Sequence, residues 1–146
     1  MKKIITVVAA CLLMVVTHAQ QVIRLYNITA PGNLKLDDKE IFSNPENGRP
    51  TVKNVTQPTL TVFIPEKQNV AQPAVVICPG GGYRNLSIED GGYDIARQLN
   101  LYGITAFVLK YRTWQESTFT GFSNIPMMDL QQSMKIIYDS AAKWKL

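Results

Sequence analysis

Residues 74–79, AVVICP, form a short unbroken apolar run that leads into three consecutive glycines, Gly80, Gly81 and Gly82. A run of that length without polar alternation predicts a strand covered on both faces. Residues 87–103, SIEDGGYDIARQLNLYG, predict a helix with Tyr93, Ala96, Leu99 and Tyr102 on one face. Asp90 or a neighbour would cap it and Gly103 would stop it, while Gly91 and Gly92 weaken its first turn. Residues 104–111, ITAFVLKY, predict a second apolar strand. Residues 125–144, IPMMDLQQSMKIIYDSAAKW, predict an amphipathic helix with Met127, Leu130, Met134, Ile137 and Ala141 on its apolar stripe. Pro126 fits its first turn, or Asp129 opens it with Gln132 as a capping box. Strand, turn, helix, strand, loop, helix is the rhythm of an α/β fold, a mainly parallel sheet with flanking helices in three layers.

The chain before this unit divides in two. Residues 59–65, TLTVFIP, alternate as a strand that stops at proline, whereas residues 20–58 are rich in turn-forming Pro, Gly, Asn and Asp and predict an irregular lead-in. Residues 59–146 then carry the amino-terminal portion of the α/β domain. Residues 1–19 have Lys2 and Lys3, an uncharged apolar run from Ile4 to Val16, and small residues Thr17 and Ala19. That is the outline of a signal peptide cleaved near Ala19, which predicts a secreted or periplasmic protein. The apolar run is too short to span a bilayer.

Cleavage at that point changes the inventory. It leaves 13 Lys and Arg against 11 Asp and Glu, and no basic cluster, so neither nucleic acid nor membrane is expected as a partner. The single histidine, His18, and one of the two cysteines, Cys11, leave with the leader. Cys78 then has no disulfide partner, and a His/Cys metal site is excluded. No metal and no cofactor are expected.

The glycines admit several readings. A Walker loop requires Lys and Ser/Thr where Tyr83 and Arg84 follow, and a dinucleotide fingerprint requires glycine at Asn85 or Arg84. Two readings remain: a bend that only turns the chain, or a loop whose bare amides face a ligand. Amides aimed at a carbonyl oxygen would stabilise the charge that develops there during acyl transfer. Cys78 reads as a small buried residue with no imidazole to activate it. Ser87, Ser117 and Ser123 read as loop serines, and Glu89 with Asp90 as a solvated helix start. Trp114, Phe119 and Phe122 read as packing over the sheet edge, with a sugar-stacking platform as the alternative.

Residues 73–112, PAVVICPGGGYRNLSIEDGGYDIARQLNLYGITAFVLKYR, resemble the strand–helix–strand unit of the α/β-hydrolase superfamily that bears a glycine-rich oxyanion loop. They are most similar to its bacterial secreted carbohydrate-esterase branch, which includes acetylxylan and feruloyl esterases. TLTVFIP upstream and DLQQSMKIIYDSAAKW downstream extend the resemblance; CPGGGY and GITAFVLKYR are its most specific pieces. The resemblance implies that the Gly81 and Gly82 amides form part of an oxyanion hole, that Gly80 makes the turn, and that Tyr83 lies beside an acyl pocket. Pro79 stands where many relatives have histidine. The resemblance also implies a nucleophile in Gly-x-Ser-x-Gly, followed by an acid and a histidine. No such elbow occurs between Met1 and Leu146. The expectation is therefore an incomplete α/β-hydrolase fold, the amino-terminal portion of a serine ester hydrolase of acylated, xylan-type polysaccharide, inactive alone. The competing expectation is a finished, non-catalytic secreted protein that acts by binding.

Overall fold

The computed structural model describes residues 20–33, 40–44, 46, 48–68, 71–114 and 124–146. The expected signal peptide, with Cys11 and His18, lies outside the described residues, as do Ser117, Phe119, Phe122 and Ser123.

A four-stranded sheet holds the core, in the order β1 (Gln21–Arg24), β4 (Thr59–Phe63), β7 (Thr105–Lys110), β5 (Ala74–Ile77). The three strands expected from the apolar runs are β4, β5 and β7, but β5, expected to be covered on both faces, is exposed at Ala74 and Val75, because it is an outer strand of the described sheet. Central β7 is buried from Thr105 through Leu109, because it has a neighbour on each side and cover on each face. β5 runs parallel to β7, pairing Ala74 with Thr105 and Ile77 with Val108, and the chain crosses between them through helix α1 (Asp94–Leu101). β4 is antiparallel to both β7 and β1. The described sheet is thus mixed where a mainly parallel one was expected. Only ten residues, 64–73, separate β4 from β5, and their described part holds no helix, whereas a parallel return takes a dozen or more residues.

Helices cover both faces of this sheet, the three-layer arrangement expected. Alternate β7 side chains point opposite ways. On one side Phe63, paired with Ala106, meets Tyr93 with ring centroids 5.4 Å apart. There Gly92 admits close approach, since an added Cβ would lie 2.9 Å from Val108 Cγ1. On the other side Phe107 meets Trp144 at 4.9 Å, in the 3₁₀ turn Ala141–Trp144 that follows helix α2 (Ile125–Asp139).

Both helices depart from expectation in instructive ways. A π-helical turn, Glu89–Tyr93, precedes α1, and no side chain caps it. Asp90 pairs instead with Arg49 at 2.8 Å, and Glu89 pairs with Arg97. Ala96 is buried and Tyr93 and Leu99 pack on the core, but Tyr102 is exposed. In α2 the buried face is Ile125, Asp129, Ser133 and Ile137, at successive four-residue steps, while Met127 and Met134 are exposed. The helix is rotated from its most apolar stripe because Asp129 is drawn inward by a buried partner. Pro126 does occupy the first turn.

Residues 20–58 were expected to be irregular, yet they contribute three strands. β1 extends the main sheet, and β2 (Ile41–Ser43) and β3 (Thr51–Lys53) join β6 (Asn85–Leu86) in a second, antiparallel sheet. Val52 and Leu86, paired across it, are fully buried. Strands of three or four residues between turn segments leave too little alternation to read.

Candidate active site

The glycine turn sits at the carboxyl end of β5, where loops of α/β sheets gather ligands. Three consecutive residues adopt positive φ: Gly81 at 146°, Gly82 at 62° and Tyr83 at 61°. A Cβ on Gly81 would lie 1.9 Å from the Asn85 carbonyl oxygen, so no other residue fits there without opening the turn. Gly82 has open space around it, and its demand is conformational only. Gly80, expected to make the turn, has room for a side chain and an ordinary φ; the sharp backbone falls on its two successors.

Hydrogen bonds hold the turn from inside and from β7. The Arg84 and Asn85 amides donate to the Gly81 carbonyl at 3.2 and 3.3 Å, and the Ser87 amide donates to the Gly80 carbonyl at 2.9 Å. The chain leaving β7 grips both ends: Tyr111 Oη donates to the Pro79 carbonyl at 2.7 Å, and the Trp114 amide donates to the Tyr83 carbonyl at 2.8 Å. Among the described residues, neither the Gly81 nor the Gly82 amide donates to a backbone carbonyl. Burial pushes the Tyr111 phenol up to about 12, which keeps it a donor across the ordinary pH range.

The turn borders a cavity of about 520 Å³ lined by residues 78–83 together with Leu109, Tyr111, Pro126, Met127 and Leu130. An apolar wall with a few polar groups at one end is the usual form of a small-molecule site. Tyr83 stands at the rim, its ring edge-on to Tyr111 at 6.0 Å. Gly81, Gly82 and Tyr83 are therefore brought together around one space.

Cys78 was expected in the core but is exposed and lines this cavity. It follows β5, an outer strand of the described sheet, so its side chain lacks a covering neighbour. Desolvation by its surroundings nonetheless raises its thiol pKa, which disfavours the thiolate. Ser87 contributes only its amide to the turn.

Sequence reasoning missed the polar hub beneath the site. Arg112 and Asp129 are both fully buried and bonded in parallel: Nε lies 3.0 Å from each carboxylate oxygen and Nη2 lies 2.7 Å from Oδ1. The Arg112 amide donates to Oδ2 at 2.9 Å. Arg112 Nη1 reaches the lead-in, donating to the Pro31 carbonyl at 2.6 Å and to Asn33 Oδ1 at 2.9 Å. Tyr26 Oη donates to Asp129 Oδ1 at 3.1 Å, and its phenol is pushed up to about 12, first by burial and then by the Asp129 charge. The available sequence signal was an acid on a helix four residues before a small Ser133, facing an arginine just after a buried strand.

No protein-family model matches this chain. An acetylxylan esterase from Xylanibacter ruminicola is 38% identical over 87 residues, which are 60% of this chain and 17% of that protein. Three solved structures share the fold. The acetyl ester-xyloside bifunctional hydrolase from Caldicellulosiruptor lactoaceticus gives a TM-score of 0.57 at 22% identity, over 86% of this chain and 38% of that one. A thermophilic esterase from Thermogutta terrifontis gives 0.52 at 17% identity, over 62% of this chain and 32% of that one. A sugar hydrolase from Lactococcus lactis gives 0.52 at 20% identity, over 74% of this chain and 38% of that one. The chain thus spans well under half the length of each protein it resembles. In sequence, 87 residues of it are similar to an acetylxylan esterase, and its fold is the α/β fold of part of these hydrolases.

Proposed function

We propose that this chain supplies the oxyanion-holding part of a secreted serine ester hydrolase that removes acyl groups from decorated polysaccharide of the xylan type. The observation that carries this reading is the glycine turn. It opens onto an apolar cavity, and its two successive glycine amides are left without backbone acceptors among the described residues. As an ester carbonyl becomes tetrahedral, its oxygen gains negative charge. Donors already fixed about 2.7–3.1 Å from that position stabilise the charge without reorganising. Tyr111 and Trp114 do the fixing, and Tyr83 walls the acyl side. The similarity to an acetylxylan esterase supports the substrate class. The leader-like pattern of residues 1–19, with small residues that fit cleavage near Ala19, supports export. The attacking serine, its base and its acid belong, on this reading, to polypeptide outside these 146 residues.

A chimera tests it. The matched segment of the Xylanibacter acetylxylan esterase is replaced by that of this chain, and acetate release from acetylxylan is followed. The folded chimera retains turnover, and exchanging Gly82 for glycolate by semisynthesis, which replaces the donor N–H with an ester oxygen and keeps the positive φ, lowers kcat about 10²–10³-fold with little change in KM. Undiminished kcat in the folded glycolate-82 chimera would remove the oxyanion role. The chain alone releases no p-nitrophenol from p-nitrophenyl acetate above a Gly81→Asp control.

A further inference from the structure

Gly82, Tyr83, Arg84 and Trp114 line a second, open recess of about 250 Å³, and Gly82 and Tyr83 also border the main cavity. We propose that this recess is a glycosyl subsite selective for one acidic sugar ring, a hexuronosyl unit carried by the polysaccharide. The inference rests on the ester-hydrolase reading for the identity of the neighbouring cavity and for the polysaccharide that carries the ring. Ligand pockets for larger molecules run to roughly 300–1,000 Å³, so a recess of this size suits a single ring.

Its chemistry is specific. Tyr83 and Trp114 are exposed over 56% and 40% of their surfaces, whereas the other tryptophan, Trp144, is 2% exposed and packed against Phe107. Exposed aromatic side chains offer apolar surface complementary to the C–H face of a pyranose, and covering it removes that surface from solvent. Arg84 is exposed and makes no ion pair among the described residues. A guanidinium beside a stacked ring reads a carboxylate on that ring through paired N–H donors. The wall is also pre-set. Tyr83 holds a left-handed φ of 61° that a tyrosine adopts only under constraint, and the Trp114 amide bonded to its carbonyl at 2.8 Å ties the two aromatic residues together. Backbone strain spent on aiming a half-exposed ring has no evident use in the core.

Two probes test the subsite in the full mature chain: xylotriose bearing a glucuronosyl substituent, and unsubstituted xylotriose, each titrated by calorimetry and by tryptophan fluorescence. Trp114 is the accessible fluorophore, so its emission reports occupancy. The acidic probe binds about threefold more tightly at low salt, the size of an exposed ion pair. That advantage fades near 1 M salt. Arg84→Gln abolishes the advantage and leaves the neutral probe unchanged, and Arg84→Lys keeps part of it. Trp114→Ala, checked for folding by circular dichroism, weakens both probes about fivefold in calorimetry. Equal affinity for the two probes, or an advantage that survives Arg84→Gln, overturns the acid assignment. Absence of binding by either probe overturns the subsite. An active chimera with flat titrations removes the subsite and leaves the ester reading standing; acid-selective binding with no kcat effect of glycolate at position 82 does the reverse.

Discussion

Replacing Gly81 by alanine gives the sharpest test of the turn. The new Cβ would lie 1.9 Å from the Asn85 carbonyl oxygen, 2.6 Å from its carbonyl carbon and 2.9 Å from Asn85 Oδ1. Two of these atoms are backbone, so the turn itself must open. A residue with a Cβ at positive φ costs about 1–2 kcal/mol. Opening also breaks the Arg84 and Asn85 amide bonds to the Gly81 carbonyl, each contributing about 1 kcal/mol. The total is about 3–4 kcal/mol, a large part of the roughly 5–15 kcal/mol that holds a domain together. Gly82→Ala is the control. It has no obstructing atom and carries only the conformational penalty of about 1–2 kcal/mol. The cost reaches global stability because Asn85 and the fully buried Leu86 form β6 and pair with β3. In urea unfolding followed by far-ultraviolet circular dichroism, with a slope near 2 kcal/mol/M, the Gly81→Ala midpoint falls by about 1.5–2 M. The Gly82→Ala midpoint falls by less than about 1 M. Equal shifts, or a smaller one for Gly81→Ala, would refute the crowding argument.

Two further outcomes follow from the buried polar groups. Asp129→Leu takes the carboxylate away from the buried Arg112 guanidinium and destabilises the chain by about 3–5 kcal/mol, whereas the Arg112→Met/Asp129→Leu double variant recovers much of that in the same urea assay. Tyr26 and Tyr111 have folded-state pKa values near 12 against an unfolded value of 10.0, so the unfolded chain loses these protons first. Their contribution is full below pH 10 and is lost as pH rises toward 12. Absorbance titration at 295 nm should show a late-ionising fraction that shrinks in Tyr111→Phe, and the alkaline fall in thermal midpoint should flatten in the same variant.

The legible parts of this molecule were those whose signal is contiguous along the chain. Residues 74–77 and 105–110 read as strands because their apolar runs are unbroken, and Gly103 read as a helix stop because it takes the φ of 76° that such a stop uses. That the glycines stand at the carboxyl end of β5 followed from the apolar run before them, whereas the cavity that Gly81, Gly82 and Tyr83 border depends on residues of β7 and α2. Features that depend on tertiary partners did not read. Asp129 has the look of a helix-start residue until Arg112 is placed beside it, and that contact rotates α2 away from its Met127–Met134 stripe. The mixed sheet hides in the short span after β4, and Cys78 is exposed because β5 is an outer strand in the described sheet.

Arg112 gathers three distant stretches, near residues 31, 112 and 129, about one dry cation. Its backbone lies between Tyr111 and the Trp114 amide, the two clasps of the glycine turn. Peeling away the amino-terminal arm would strip acceptors from a charge that water cannot reach. Such loosening is felt first at the clasps, so segments remote in sequence come to share one fate, and wear on the periphery is transmitted to the chemistry instead of being absorbed.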